Sequence, residues 1–130
     1  MAVTHSNAAL SAATNAVTAL IGASGKLKFR ISPSTVAAPG TAAATLSFAA
    51  TAFLAAVNGV ATADTITADS SATGNASPVA YATFETSGGT VVVHCAVAAS
   101  GSDIDLTNGL TIAAGDTVTC TALTYKAINA

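Results

Sequence analysis

Charged residues are scarce in this 130-residue chain. Four lysines and arginines and six aspartates and glutamates make up 8% of the sequence, against about 25% in an ordinary soluble domain. Binding nucleic acid requires a dense basic face to neutralise phosphates, so a net charge of −2 argues against nucleic acid as the main partner. With so few charges, copies of the protein repel one another only weakly. This is typical of proteins that work inside an assembly.

Large aromatic residues are also few, with no tryptophan, four phenylalanines and two tyrosines. Sugar-binding sites usually stack their ligands on aromatic rings, which disfavours a carbohydrate-binding module. Apolar residues nevertheless form 52% of the chain and mean hydropathy is +0.63, so disorder is excluded. We expect one folded domain with a thin core.

Long hydrophobic runs are missing as well. The most apolar stretch, 42–57, is shorter than the roughly 20 residues that span a bilayer and contains three hydroxyl residues. No lysine or arginine precedes an apolar run near the N-terminus, so we expect no secretory signal, no membrane partner and assembly in a cytoplasm.

Only two cysteines are present, Cys95 and Cys120. Both lie on the apolar faces of predicted strands, so they could be neighbours. A disulfide between them stays open as the minor alternative, because cytosolic chains keep thiols reduced and an unpaired cysteine behaves as a small buried hydrophobe.

The N-terminal residues 1–25 predict one amphipathic helix and its cap. Leu10, Val17 and Ile21 recur at helical spacing within 6–21, and they form a candidate partner-docking face. Ser6 can cap the start of the helix, and the glycines at 22 and 25 can end it.

Beyond the helix, apolar residues recur at every second position, which predicts β-strands. Residues 26–31 form the clearest one, followed by a proline-containing loop, 34–41, that could extend to a neighbouring subunit as an arm. Residues 43–49 predict a strand, although the spacing up to 57 also fits a helix, and 60–67 predicts another strand.

Two tight hairpins are predicted in the second half. Gly88-Gly89 separates strands 81–86 and 90–97, and Asn108-Gly109 separates shorter strands, 103–106 and 110–112. A long strand is expected over 116–125. We therefore predict that 26–130 forms a single antiparallel β-sandwich domain, jelly-roll-like or immunoglobulin-like, of about seven to eight strands.

No catalytic, cofactor or metal site is predicted. The segment 22–26 lacks the flanking residues of a phosphate-binding loop, and 103–109 lacks the ligands that complete a calcium loop. His5 and His94 have no motif partners, so we expect His94 to be a partly exposed strand residue and the protein not to be an enzyme.

Lys26, Lys28 and Arg30 form the one concentration of charge, a row of cations on one strand face. Two interpretations stay open. Either the row lies on a solvent-exposed edge strand and discourages pairing with another strand, or it binds an acidic patch of a partner.

The segments 5–27, 58–63, 87–92, 100–106 and 114–118 resemble, in this order, a family of small structural proteins from the particles of tailed bacteriophages. The resemblance spans nearly the whole chain, and its motifs are turns and strand edges. It implies a homo-oligomeric virion protein that binds the major capsid protein as a head decoration or cement subunit. A tail, baseplate or fibre-attachment protein is the alternative.

Overall fold

Residues 3–128 are described by a computed structural model, which contains one helix and seven strands. The elements are α1 (Asn7–Ala19), β1 (Lys26–Ile31), β2 (Ala42–Ser47), β3 (Ala61–Thr62), β4 (Val79–Glu85), β5 (Val91–Ala98), β6 (Ile104–Asp105) and β7 (Thr124–Tyr125). The predicted mostly β fold with one N-terminal helix is confirmed. No helix among these residues has the length and apolar character needed to cross a membrane.

A curled five-stranded sheet in the order β2-β1-β4-β5-β6 forms the body of the fold. β1 pairs antiparallel with β2 and β4, and β4 pairs antiparallel with β5, whereas β5 and β6 pair in parallel. A separate pair joins β3 to β7. The sheet is therefore mixed, and the predicted antiparallel sandwich is not confirmed.

Alternation along β1 separates an apolar face of the sheet from a polar one. Leu27 lies opposite Leu46 and Phe84, and Phe29 lies opposite Ala44 and Ala82. All six of these apolar side chains are buried. Since side chains alternate with period two, the apolar positions define one core face.

The core is closed by an aromatic cluster. Phe84 of the sheet lies 5.7 Å from Phe48, 5.8 Å from Phe53 and 6.1 Å from Tyr125 of β7, measured between ring centroids. Tilted and edge-to-face pairs at these separations are favourable. Four of the six aromatic residues of the chain therefore meet at one point and join the β3–β7 pair to the main sheet.

The helix begins where the sequence predicts. Ser6 is the N-cap, and its Oγ accepts a hydrogen bond of 3.2 Å from the Ala9 N–H. At the other end the chain leaves the helix through Gly22, whose φ of +69° lies in the left-handed region that glycine favours.

Several predicted elements are shorter or absent. Residues 46–57 do not form the alternative helix. Leu46 and Ser47 belong to β2, and the segment ends in a turn with reciprocal hydrogen bonds between Val57 and Val60. The strand predicted over 60–67 is reduced to the two residues of β3.

The second hairpin prediction is wrong. β6 pairs in parallel with β5, and the Val79 N–H donates to the Leu110 carbonyl, so 110–112 lies along the start of β4. The long strand predicted over 116–125 consists of β7 and an isolated bridge from Val118 to Asp69. The threonine-rich sequence of 116–125 has the local propensity for a strand, but a strand also requires a neighbouring strand to pair with. The hairpin at Gly88-Gly89 is confirmed, with the Thr86 N–H donating to the Thr90 carbonyl.

Candidate functional site: the polar face of the sheet

The polar face of the five-stranded sheet carries three of the four lysines and arginines of the chain, its single glutamate and one of its two histidines. We define this polar face by the following residues of β1, β2, β4 and β5: Lys26, Lys28, Arg30, Thr45, Ser47, Tyr81, Thr83, Glu85 and His94. Strand register brings them together, because residues directly opposite one another in paired strands point to the same side.

Arg30 and Glu85 form a buried ion pair at the centre of this face. The Arg30 guanidinium donates from Nη2 to Glu85 Oε2 at 2.6 Å and from Nε to Thr83 Oγ1 at 3.1 Å. The Thr83 hydroxyl donates in turn to Glu85 Oε2. Glu85 is 1% exposed and Arg30 is 6% exposed, so both charges are compensated inside the protein, as burial requires.

These contacts decide the protonation of Glu85. Burial by itself raises the pKa of the carboxyl, but the hydrogen bonds from Thr83 and Arg30 and the charges of Arg30 and Lys28 outweigh burial and hold the pKa below its ordinary value of 4.5. Glu85 is therefore an ionised structural partner at neutral pH.

Lys28 and Lys26 complete the row of cations. Lys28 Nζ lies 3.3 Å from Glu85 Oε1 and its side chain is 25% exposed. Lys26 donates to the Ser47 hydroxyl at 2.9 Å and has no carboxylate partner among the described residues. With His94 neutral the face carries a net charge of +2, while the rest of the chain carries −4.

The loop between β1 and β2 folds back over one end of the polar face. The Arg30 Nη1 donates to the Gly40 carbonyl at 2.6 Å, and the Ser34 Oγ and His94 Nε2 share a hydrogen bond of 3.0 Å. His94 also stacks on Tyr81, with ring centroids 4.9 Å apart. The loop predicted over 34–41 is present, and its two ends, at Ser34 and Gly40, bind the sheet of its own chain while its middle is exposed.

Strand order and burial distinguish the two interpretations of the basic row. β1 lies between β2 and β4, so the row does not protect a strand edge. Arg30 is buried and occupied by internal partners, which removes it from the predicted docking residues. Lys26 and Lys28 keep partial access to solvent.

The helix residues predicted to dock a partner face the protein's own fold. Ile21 is 1% exposed and Leu10 is 8% exposed, and Val17 is half-buried. Hydrogen bonds fix the same helix face: the Thr14 Oγ1 donates to the Gly59 carbonyl at 2.6 Å, and the Asn15 Oδ1 accepts from the Ala56 N–H at 2.8 Å. Burial of Leu10 and Ile21 corrects their prediction as docking residues.

Both cysteines are free thiols in this structure. The Cys95 Sγ donates to the Ala82 carbonyl at 3.7 Å, and the Cys120 Sγ donates to the Ala122 carbonyl at 3.6 Å. Burial and, secondarily, the charge of Asp103 raise the pKa of Cys95 to about 11, and burial raises the pKa of Cys120. Neither is activated as a thiolate at neutral pH. The minor alternative of a disulfide is not formed here.

Sequence reasoning missed Glu85, Thr83 and Ser34. Glu85 is the sole glutamate of the chain and alternates with Thr83 and Tyr81 along β4. The sequence signal that could have identified an internal partner of the basic row was this single carboxylate, two residues from a hydroxyl side chain on the same strand face. The contact between Ser34 and His94 spans 60 residues and has no local signature.

A cavity of about 560 Å³ lies elsewhere, between 103–112 and 116–124 with Phe29 in its wall. Its lining includes three aspartates and several threonines. Residues 3–128 contain no cluster of three or more histidine, cysteine, aspartate or glutamate side chains arranged to hold a metal ion.

Comparison of the chain with protein-family models, curated proteins and solved structures finds no match. The function must therefore be argued from the residues and their geometry.

Proposed function

We propose that this chain is a non-enzymatic structural protein of a tailed-bacteriophage particle, a decoration subunit that binds the major capsid protein and copies of itself on the head. The resemblance of its turn motifs to small phage virion proteins suggests the setting. The scarcity of charge supports a protein that works within an assembly. In fold, we propose an incomplete β-sandwich in which the β3–β7 pair covers the core face of the main sheet.

The observation that carries the docking part of the proposal is the uneven charge of the polar face. Three cations share one carboxylate there, and Lys26 has no acidic partner among the described residues. Lys26 and Lys28 thus present uncompensated positive charge to an acidic patch of the capsid lattice. Charge complementarity of this kind sets orientation and speeds association, and repetition over many equivalent sites adds avidity.

The proposal is tested by binding the purified protein to phage heads assembled without it. We expect saturation at hundreds of copies per head, as the symmetry of a capsid lattice implies, and weaker binding at high salt. Lys26→Gln is expected to weaken binding about tenfold, because one uncompensated cation is removed without breaking an ion pair.

Lys126→Gln is the matched control, because Lys126 is exposed and lies outside the polar face. Equal effects of Lys26→Gln and Lys126→Gln would show that overall charge, not this face, governs binding. Failure to bind heads, together with a location at three to a dozen copies in the tail, would replace the decoration role by the tail role.

A further inference from the structure

The longest strand of the protein has an outer edge that no other strand of the described chain covers. β5 pairs with β4 on one side from Val91 to Ala96, with a β-bulge at Val92. On the other side β6 pairs with Val97 and Ala98 only. Within residues 3–128, no further bridge covers the stretch 91–95 on that outer side.

The backbone of this stretch is oriented for pairing. The Ala96 N–H donates to Asp103 Oδ2 at 2.9 Å on the outer side of the strand. Peptide directions repeat every two residues along a strand, so the N–H and C=O groups of His94 also face outward. Exposed edges of this kind are templates for the addition of another strand.

The open edge of β5 contains a β-bulge at Val92 but neither charge nor proline. Natural edge strands discourage pairing with lysine or proline, but β5 consists of VVVHCAVA and contains no charged residue and no proline. The side chains of residues 91–96 are all half-buried, whereas most side chains of the neighbouring strand β4 are buried. The edge is thus neutral, rich in β-branched residues and incompletely covered.

The opposite edge of the same sheet is closed by the chain itself. Ser47 of β2 exchanges two backbone hydrogen bonds with Thr67, the Thr45 N–H donates to Asp69 Oδ2, and the Gly74 N–H donates to the Ala43 carbonyl. Copies of this protein therefore cannot join β5 of one molecule to β2 of the next. Among pairings between the long outer strands β2 and β5 of two copies, β5 with β5 remains.

We propose that the open edge of β5 pairs antiparallel with β5 of a second copy about a two-fold axis, to give a closed dimer with a continuous sheet. A strand without charge can meet itself without repulsion, and an isologous contact uses the same edge in both molecules and leaves none free.

This inference deepens the proposed function, since it names the surface for self-association, but the pairing of free molecules does not depend on binding to a head. An edge of five residues lies at the small end of interface sizes, below about 1,200 Å² in total. We therefore expect a reversible dimer that becomes strong when other contacts in an assembly hold two copies together.

Sedimentation of the purified protein over a range of concentrations tests the dimer, with Val91→Lys as the disrupting variant. A lysine on each strand places two cations at the neutral edge, so the dimer dissociation constant is expected to rise at least about tenfold. Val91→Thr keeps a β-branched, uncharged side chain and should leave the dimer intact. Val57→Lys adds the same charge at an exposed valine outside the edge and should also leave it intact.

Amide hydrogen exchange gives a second readout that does not rely on any variant. Exchange in peptides covering 91–95 should slow as concentration rises, while exchange around Val57 should not change. A monomer at all concentrations with unchanged exchange, or a dimer that survives Val91→Lys in a protein with native circular dichroism, would overturn the proposal. If the dimer forms but heads are not bound, the decoration role fails and the β5 pairing stands.

Discussion

At the scale of single residues, Arg30 on the polar face is one of the few charged side chains of this protein, and its contacts stabilise the fold. Arg30 binds three different partners, a carboxylate, a hydroxyl and a backbone carbonyl. A guanidinium suits this position because its donors form a fixed planar fork. Most of the charge in β1 that looked available for a partner therefore holds β1, β4 and the loop after β1 together.

Glu85→Gln is expected to lower the free energy of unfolding by about 3–5 kcal/mol at pH 7, because it leaves a buried arginine without its counter-charge. The pKa of folded Glu85 lies below 4.5, so its stabilising effect is present above that pH and is lost as the pH falls toward the folded value. Denaturant unfolding of both proteins at pH 7 and below pH 4.5 measures these effects.

Asp64→Asn serves as the comparison, because Asp64 is exposed and its side chain accepts a hydrogen bond only from the neighbouring Thr65 N–H. If Glu85→Gln kept the wild-type dependence on pH in the acidic range, another carboxyl would be responsible for it.

At the scale of elements, the attachment of α1 to the β domain depends on hydrogen bonds as much as on apolar contacts. Thr14 is fully buried, donates to the Gly59 carbonyl at 2.6 Å and accepts from the Ala127 N–H at 3.2 Å. Gly59, with φ of +84°, approaches so closely that an added Cβ would lie 2.8 Å from the Leu10 Cβ. The helix is therefore an integral part of the fold.

Thr14→Val should destabilise the protein by about 1–3 kcal/mol, since the isosteric side chain leaves a buried carbonyl and a buried amide without their partner. Thr14→Ser retains the hydroxyl and should recover most of the hydrogen bonding. Thermal unfolding followed by circular dichroism provides the comparison. Equal stability of the valine variant and the wild type would mean that apolar packing alone attaches the helix.

At the scale of the whole molecule, the two edges of the main sheet differ in a way that limits growth. The segment 67–74 covers β2, whereas the outer side of β5 is open over 91–95. One open edge allows two copies to pair and then stops, while two open edges would allow chains of molecules to form.

Asp69→Ala is expected to weaken the cover of β2, because its carboxylate accepts from the Thr45 and Ser71 N–H groups. Molecules with two accessible edges should form larger, concentration-dependent species, which light scattering detects. Asp64→Ala removes an aspartate with only a local hydrogen bond and should scatter like the wild type. A monodisperse Asp69→Ala protein would indicate that the backbone bridge between Ser47 and Thr67 closes the edge by itself.

The sequence by itself determined the elements whose signals are local. The cap at Ser6, the period of two in β1 and the glycine pair of the β4–β5 hairpin depend on a few neighbouring residues, and each was predicted from them. The extent of β3 and β7, the parallel pairing of β6 and the folding back of the loop after β1 were not predicted. Each depends on a neighbour that is distant in the chain.

The same division applies to the candidate site. Alternation placed Lys26, Lys28 and Arg30 on one face, but only the tertiary structure decided that β1 lies inside the sheet and that Glu85 faces Arg30 across 55 residues. The number of charges was fixed by the sequence. Whether each charge is available to a partner was decided by strand order, because burial and pairing are properties of the assembled sheet.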